Sequence, residues 1–477
     1  MKMRMMNRKK RNKLFAVGAA LAALTPLGAQ QKPNVVFIIA DDLGYGDLSC
    51  YGQEKFQTPH IDRLALNGIR FTRSYSGTTV SAPSRASLMT GLHTGHAPIR
   101  GNKEIQPEGQ SPLPAGTFTL FHLFKNAGYT TAAFGKWGLG YPGSSGDPMN
   151  QGVDRFFGYN CQRKAHNYYP AYLWNNRSQV WFPENDGGKS VTYSQEMIQE
   201  EVLKFIDQQQ GNPFFLFVPM VLPHAELVVP EDSLIQQFRG RFPEIPYVGV
   251  DAKTAFERGG YRSQEHPRAT HAAMVTRIDL YVGQIINKLR EAGLLENTLI
   301  VFTSDNGPHR EGGGDPDFFN SNGIYRGYKR DLYEGAIRVP TLVSWEGRVP
   351  SGRESDHPFA FWDYLATFAE LTGQPLPVES DGVSILPLLL GDEGQKVHDY
   401  LYFEFHEQGG RQALIQGDWK LLHLDVRGDG YYELYNLASD PSENHNLVNL
   451  YPGKAEELKE LMRGARSDHP DWPLFKQ

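Results

Sequence analysis

Four mainly apolar runs of the chain each end close to a polar group. The runs are residues 35–39, 131–134, 214–218 and 299–302, and the polar groups after them are, in order, Asp41 with Asp42, Lys136, His224, and Asp305 with Asn306. Continuous apolar residues are typical of strands that are buried on both faces, as in parallel sheets. Because open α/β sheets place ligands at the carboxyl ends of their strands, these polar groups predict one shared site.

The segments between these runs predict the fold class. Apolar residues recur at three- and four-residue spacing in 196–209 and 273–292, which indicates amphipathic helices. We therefore expect an α/β fold in which a large, mostly parallel sheet is flanked by helices, over an N-terminal domain of residues 32–390.

A different pattern begins near residue 400. Short alternating segments occupy 401–405, 412–415, 419–422 and 431–435, and a helical pattern covers 455–463. The Gly-Asp-Glu-Gly sequence at 391–394 is typical of a linker. These features predict a smaller C-terminal α+β subdomain with an antiparallel sheet, residues 395–477.

Composition narrows the function classes. The 477 residues include 48 basic and 54 acidic side chains without a basic stripe, so we expect no nucleic-acid partner. The only cysteines are Cys50 and Cys161, which either pair or stay as isolated thiols, and two cysteines cannot form a disulfide framework.

The N-terminus has the pattern of a signal peptide, residues 1–30. A basic run at 2–13 precedes an apolar run at 14–27 and the small residues Gly28 and Ala29. This pattern predicts export. The apolar run is short and contains Pro26, so we expect no stable membrane insertion, with an uncleaved anchor as the alternative.

The polar groups behind two of the strands have the chemistry of metal ligands. Asp41, Asp42, Asp305 and Asn306 supply three carboxylates and an amide oxygen, a hard all-oxygen set that suits calcium better than zinc. Taken separately, the Asp-Asp pair is also typical of a helix cap, and the Asp-Asn-Gly sequence of a turn.

Residues 81–91 read Ser-Ala-Pro-Ser-Arg-Ala-Ser-Leu-Met-Thr-Gly. This segment resembles the maturation signature of the type I sulfatases, S/C-x-P-S/A-R-x-x-x-L/M-T-G, of the alkaline phosphatase superfamily. The resemblance implies that Ser81 is oxidised to formylglycine, whose hydrate is the nucleophile, and that Ser81 completes a calcium shell. It also implies that Arg85 holds the modified side chain and the metal ligands.

Residues 128–140 resemble the second sulfatase signature, and the resemblance implies that Lys136 contacts sulfate. The family usually has a histidine at the position of Gly138, where it assists release of sulfate. This departure leaves the releasing base open, with His166 and His93 as the candidates.

The resemblance also gives roles to two later residues. His224 occupies the position of the histidine that protonates the leaving alcohol, a role that suits imidazole. Lys329 resembles the second sulfate-binding lysine. A capping histidine and a solvated loop lysine are the respective alternatives.

A serine at position 81 has a further implication through the family. Serine-type sulfatases are matured by anaerobic radical enzymes in bacteria, so a radical-type maturing enzyme is the expected partner and the bacterial periplasm the expected location. The Asn-Arg-Ser sequon at 176–178 then carries no glycan. An engineered replacement of cysteine by serine is the alternative.

The substrate prediction rests on loop composition and on similarity to bacterial exo-acting carbohydrate sulfatases. Planar polar and aromatic residues suit a sulfated carbohydrate, and the candidate substrate-binding residues are His166, Asn167, His309, His406 and Arg411. The leading substrate is galactose or N-acetylgalactosamine 4-O-sulfate, with glucosamine 6-sulfate and aryl sulfates open. The competing functions are a phosphomonoester or phosphonate hydrolase of the same superfamily and an unmodified protein that binds sulfated glycans.

Overall fold

The computed structural model describes residues 32–106, 108–209, 211–250 and 260–475. The predicted signal peptide lies outside these residues. Within them, every helix is too short or too polar to cross a membrane. The strands are β1 (Asn34–Ala40), β2 (Gly68–Phe71), β3 (Ser74–Tyr75), β4 (Thr130–Lys136), β5 (Arg155–Tyr159), β6 (Tyr172–Asn175), β7 (Ser178–Trp181), β8 (Phe214–Pro219), β9 (Thr298–Ser304), β10 (Thr341–Ser344), β11 (Arg353–Ser355), β12 (Phe359–Ala360), β13 (Leu401–Phe405), β14 (Arg411–Gln416), β15 (Trp419–Leu424) and β16 (Tyr431–Asn436).

The helices lie between and after these strands. They are α1 (Pro59–Leu66), α2 (Ser81–Thr90), α3 (Leu120–Asn126), α4 (Gln162–Ala165), α5 (Ser194–Asp207), α6 (Ser233–Gln236), α7 (Pro267–Glu291), α8 (Pro316–Phe319), α9 (Glu334–Ile337), α10 (Asp363–Thr372), α11 (Leu386–Leu390) and α12 (Pro452–Gly464). Short 3₁₀ turns occupy Ser49–Tyr51, Pro148–Asn150, Pro183–Gly188 and Leu295–Asn297.

A ten-stranded sheet organises the larger part of the chain. Its spatial order is β11-β2-β10-β9-β1-β8-β4-β5-β6-β7. The central strands β9, β1, β8, β4 and β5 are parallel, which confirms the predicted α/β class. Antiparallel pairs occur toward both edges, where β10 lies between β9 and β2, and where β6 pairs with β5 and β7.

The central strands are buried on both faces, as their apolar sequences predict. In β1, Val36 and Ile38 pack into the cluster that includes α5 and α7, whereas Phe37 and Ile39 pack into the cluster that includes α3 and α10. Helices therefore cover both faces of the sheet, and its carboxyl edge is the place left for a ligand.

The C-terminal strands form a separate antiparallel sheet, β13-β14-β15-β16. Its register follows the alternation of the sequence: Leu414 and Leu421 pack against α12, whereas Ala413 and Leu422 pack with Tyr75 and other residues of the larger part. The described residues from Pro33 onward form one compact unit, and the proposed division between residues 390 and 395 stays a prediction. The two cysteines are not joined by a disulfide.

A buried ion cluster joins the C-terminal sheet to α9. Lys420 of β15 is fully buried, and its Nζ lies 2.9 Å from Glu334 Oε1 and 2.9 Å from Glu443 Oε1. Glu334 begins α9 and also accepts a 2.8 Å hydrogen bond from Arg338 Nε. The cluster therefore fixes the C-terminal sheet against the segment that follows Lys329.

We expect Lys420→Met to lower the free energy of unfolding by about 3–5 kcal/mol, because removing one partner leaves buried carboxylates without compensation. Urea denaturation followed by circular dichroism measures the change. The control is Arg463→Met, since Arg463 is 58% exposed and pairs with Glu460 on the surface of α12. That change is expected to cost less than ~1 kcal/mol, and equal losses in both variants would contradict the proposed importance of the cluster.

Candidate active site

The carboxyl edge of the large sheet brings together the polar groups that follow its strands. Asp42 N donates to Asp305 Oδ1 at 3.1 Å, which joins the ends of β1 and β9. Lys136 at the end of β4 donates to Asp41 Oδ2 at 2.5 Å, and His224, after β8, lies 3.4 Å from Asp42 Oδ2. The predicted convergence of these residues at one edge is present in the structure.

Ser81 enters this cluster as the first residue of α2. Its Oγ donates to Asp41 Oδ1 at 3.0 Å, and every residue of the helix is buried. Ser84 Oγ donates to the backbone oxygen of Asp305 at 2.6 Å, which ties the first turn of the helix to the end of β9. Ser81 and the first turn of α2 are therefore fixed from two sides.

Arg85 turns from α2 back into the cluster. Its Nε and Nη2 donate to Asp305 Oδ2 at 3.1 and 3.0 Å, and its Nη1 donates to the backbone oxygen of Lys136. The side chain is 1% exposed, so this forked contact is made with little competition from water.

The charges of the cluster control the protonation of its carboxyl groups. Burial alone would raise the pKa of Asp41, but the positive charges of Lys136, Arg85 and Lys329 outweigh it and hold that pKa well below its ordinary value. Burial, and after it repulsion by Asp41, raise the pKa of Asp305 to about 6 although Arg85 opposes them. A cation bound between these carboxylates would remove that repulsion.

The oxygen atoms of the cluster fit a hard metal cation. Asn306 donates through Nδ2 to Asp42 Oδ1 at 2.7 Å and to the backbone oxygen of Gly307 at 2.9 Å, whereas its buried Oδ1 has no hydrogen-bond partner among the described residues. Ligand atoms of Asp41, Asp42 and His224 lie within 4.8 Å of one another. An unpaired amide oxygen beside three buried carboxylates is the ligand chemistry of calcium.

Lys329 and His224 form the other side of the site. Lys329 Nζ donates to Asp42 Oδ2 at 2.8 Å and to His224 Nε2 at 3.0 Å. A lysine ammonium only donates, so Nε2 accepts here, and Nδ1 carries the ring proton that is donated to the backbone oxygen of Ala225. Burial, and then Lys329, hold the pKa of His224 well below its ordinary value.

Known protein families match most of this chain. Residues 33–374 match the family described as Sulfatase. The chain belongs to the sulfatase family. Residues 323–466 also match the family described as N-sulphoglucosamine sulphohydrolase, C-terminal. The protein is therefore a sulfuric ester hydrolase.

Individual relatives cover nearly the whole sulfatase. An N-acetylgalactosamine-6-O-sulfatase of Bacteroides thetaiotaomicron is 28% identical over 92% of this chain and 94% of the relative. Arylsulfatase A of Homo sapiens is 29% identical over 95% and 89%. The protein in the crystal structure of Ps i-CgsB with k-i-k-neocarrahexaose has 27% sequence identity to this chain. Its structure matches with a TM-score of 0.77 over 93% of this chain and 95% of that chain. These relatives and this neighbouring structure agree with the family assignment.

The structure places the predicted substrate-binding residues of the sulfatase at different distances from the cluster. The His166 ring stacks on the His224 ring with 4.6 Å between centroids, and the His309 ring lies 5.7 Å from it. Asn167 follows His166 in the same loop and accepts a hydrogen bond from Tyr159 Oη through its backbone oxygen. The prediction that His166, Asn167 and His309 bind substrate therefore concerns the edge of one site.

The two C-terminal candidates have other contacts. Arg411 Nη1 donates to Asp331 Oδ1 at 2.7 Å, two residues after Lys329, so it supports the loop that carries this lysine. The contacts of His406 are with Glu404 at 2.9 Å and with the Trp472 ring. His93, a candidate releasing base, stacks on His96 and lies 3.7 Å from Asp381. The functions predicted for these residues stay predictions.

Sequence reasoning missed Glu311. Its Oε2 lies 3.6 Å from Lys329 Nζ and accepts a 2.5 Å hydrogen bond from Tyr261 Oη. Burial alone would raise the pKa of Glu311, but Lys329, and after it His224 and Arg330, hold that pKa far below its ordinary value. Glu311 lies in a loop without periodicity, and its only sequence signal is its position five residues after Asn306.

Proposed function

We propose that this sulfatase removes sulfate from a sulfated carbohydrate with a formylglycine nucleophile made from Ser81. The observation that carries the proposal is the position of Ser81 Oγ, which is 3.0 Å from Asp41 inside a buried ring of carboxylates and cations. The hydrate of formylglycine supplies one hydroxyl to attack sulfur and a second to expel sulfate afterwards. An unmodified serine would need an adjacent base in order to attack.

Asp41, Asp42, Asp305, Asn306 and residue 81 would hold a calcium ion. When bound, calcium supplies positive charge that lowers the pKa of the attacking hydroxyl and offsets the charge of sulfate. Lys136 and Lys329 bind sulfate oxygens, because their ammonium groups lie in the cluster itself. Lys136 Nζ contacts Asp41, and Lys329 Nζ contacts Asp42. Arg85 keeps Asp305 in place.

Maturation and location follow from the same proposal. The unmodified enzyme is a substrate of a radical-type maturing enzyme and is exported to a bacterial periplasm. Mass analysis of the peptide that contains Ser81, from protein made with and without such an enzyme, tests this step. Formylglycine is lighter than serine by the hydrogen atoms lost on oxidation. An unshifted peptide in active enzyme would contradict the mechanism, whereas an unshifted peptide in protein without turnover would favour the binding-protein alternative.

The proposal also specifies the sugar and the position of its sulfate group. The sequence favours galactose or N-acetylgalactosamine 4-O-sulfate, whereas the Bacteroides thetaiotaomicron relative is named for the 6-O-sulfate of N-acetylgalactosamine. A panel of monosaccharides sulfated at single defined positions, with the matching phosphate esters, separates these substrates and the phosphoester alternative. Release of inorganic sulfate or phosphate is the readout.

His224 is proposed to protonate the oxygen of the leaving sugar. Without substrate its Nε2 accepts from Lys329 Nζ, so the ring first takes up a proton at Nε2, which the negative charge of a bound sulfate group favours. A sugar alkoxide leaves poorly near neutral pH, whereas an activated phenolate leaves without help. We expect His224→Ala to lower kcat/KM for a sugar sulfate by ~10²–10⁴-fold, and to lower it much less for an activated aryl sulfate. Parallel rate measurements on the two substrates give the ratio.

The control for this prediction is His122→Ala. His122 lies in the capping box of α3, away from the cluster, and its replacement is expected to leave the ratio between the two substrates unchanged. Equal losses on both substrates in His224→Ala would show that His224 binds sulfate or supports the structure, and would remove it as the proton donor.

A further inference from the structure

Gly138 occupies the position where related sulfatases usually have a histidine, and the structure shows what fills the space. Gly138 has a φ of +75°, and a Cβ built on it would lie 2.8 Å from Gln162 Cγ and 3.2 Å from Gln162 Nε2. A side chain at position 138 would therefore collide with Gln162. The amide of Gln162 occupies the space that the missing histidine would need.

The side-chain amides beside Gly138 lack hydrogen-bond partners among the residues that the structure describes. Gln162 is 8% exposed, and its buried Nε2 is unpaired. Asn160 is 1% exposed, and both its Oδ1 and its Nδ2 are unpaired. Buried polar atoms in native proteins are almost always hydrogen-bonded, so a cluster of unpaired amide atoms needs a ligand or water to satisfy it.

Strand pairing places the residues that carry these amides next to the strand that ends at Lys136. Lys136 of β4 is aligned with Tyr159 of β5, and Gly138 N donates to the backbone oxygen of Asn160 at 3.1 Å. The segment from Asn160 to Gln162 thus leaves the carboxyl edge of the sheet directly next to Lys136. Asn160 and Gln162 therefore follow the strand that neighbours the one ending at Lys136, and they lie at the same carboxyl edge of the sheet.

We propose that Gln162 and Asn160 bind the sulfate group of the substrate, with Gln162 Nε2 donating a hydrogen bond to a sulfate oxygen. This inference rests on the proposed function, because it places sulfate at Lys136. A neutral amide donates a hydrogen bond but takes up no proton near neutral pH. Gln162 therefore replaces the histidine as a sulfate ligand and not as a base.

The test uses unmodified enzyme with calcium present and inorganic sulfate as the probe, measured by isothermal titration calorimetry. Gln162→Met keeps the approximate shape of the side chain and removes the donor. It is expected to raise the Kd for sulfate about 10- to 100-fold, the range for a hydrogen bond to a charged group. Gln162→Glu adds a like charge and is expected to weaken binding further.

Gln151→Met is the matched control. Gln151 is also a buried glutamine with one unpaired amide atom, Oε1, but its Nε2 donates to the backbone oxygen of Ser145, outside the cluster. Its replacement is expected to leave the Kd for sulfate unchanged. Asn160→Ala, expected to raise the Kd as well, provides a second test if Gln162→Met fails to fold.

Two results would overturn the inference. The first is a Kd for sulfate that neither Gln162→Met nor Asn160→Ala changes, which would mean that ordered water satisfies the amides. The second is weaker binding of a sulfated monosaccharide with unchanged binding of free sulfate, which would assign the amides to the sugar. Failure of the proposed function is separate: wild-type enzyme would then hydrolyse no sulfate ester, while the sulfate titration still reports on Gln162.

Discussion

Ser81→Ala is expected to abolish sulfate release, with a loss of ~10⁴-fold or more in kcat, because the change removes only the proposed nucleophile. The fold is expected to persist, since the change removes one side-chain hydrogen bond, the 3.0 Å bond from Ser81 Oγ to Asp41. Inorganic sulfate released from a sulfated sugar measures the activity, and circular dichroism measures the fold.

Ser87→Ala is the matched control for that change. Ser87 lies on the same buried helix, and its Oγ donates to the backbone oxygen of Leu92 at 2.7 Å, away from the cluster. It also occupies a variable position of the maturation signature. Activity retained by Ser81→Ala would overturn the formylglycine mechanism, and activity reduced equally in Ser87→Ala would trace both effects to the helix.

Removal of the metal is expected to have the second-largest effect. Asp305→Asn keeps the shape of the side chain but removes a charge that Arg85 and the Asp42 backbone contact. Loss of charge stabilisation in such a site costs ~10²–10³-fold or more in kcat. Exhaustive dialysis against a chelator is expected to give a similar loss in the wild-type enzyme, and added calcium is expected to restore only the wild type.

A readout without turnover supports this test. Calcium at 100 times its Kd stabilises a binding-competent fold by about 2.7 kcal/mol, so the unfolding temperature of wild-type enzyme is expected to rise with calcium. Asp305→Asn is expected to lose that rise. Asp154→Asn, which replaces a carboxylate that pairs with Lys125 at the surface, is expected to keep it. The contrary result is full activity of chelated enzyme in which elemental analysis finds no metal. It would show that the four assigned ligands hold no catalytic ion.

The sequence alone determined the features that depend on local pattern. The buried runs predicted β1, β8 and β9 to within a residue or two at each end, because strands covered on both faces have continuous apolar sequences. The alternation after residue 400 predicted β13 to β16 equally well, since successive residues of a strand lie on opposite faces of the sheet and here contact different surroundings. Polar groups at the ends of the apolar strands predicted the location of the site, because open α/β sheets bind ligands at the carboxyl ends of their strands.

Sequence pattern was weaker where strands are short or lie near edges. The strands β2, β3, β5, β6, β7, β10, β11 and β12 were not predicted, and α7 begins six residues before the predicted helix. Such segments are held by pairing with distant parts of the chain, as in the antiparallel contact of β10 with β9, and their own sequences contain little periodicity.

Only the tertiary structure decided which loop residues meet at the site. The contact of Glu311 with Lys329, the stacking of His166 on His224, and the placement of Gln162 over Gly138 join segments that are remote in sequence or lack periodicity. The residue that takes the place of the missing histidine is the clearest example of a contact that the sequence did not reveal. The signature reveals the glycine at position 138, but the amide that fills the space belongs to Gln162, the first residue of α4, because parallel pairing of β4 and β5 brings together the segments that follow these two strands.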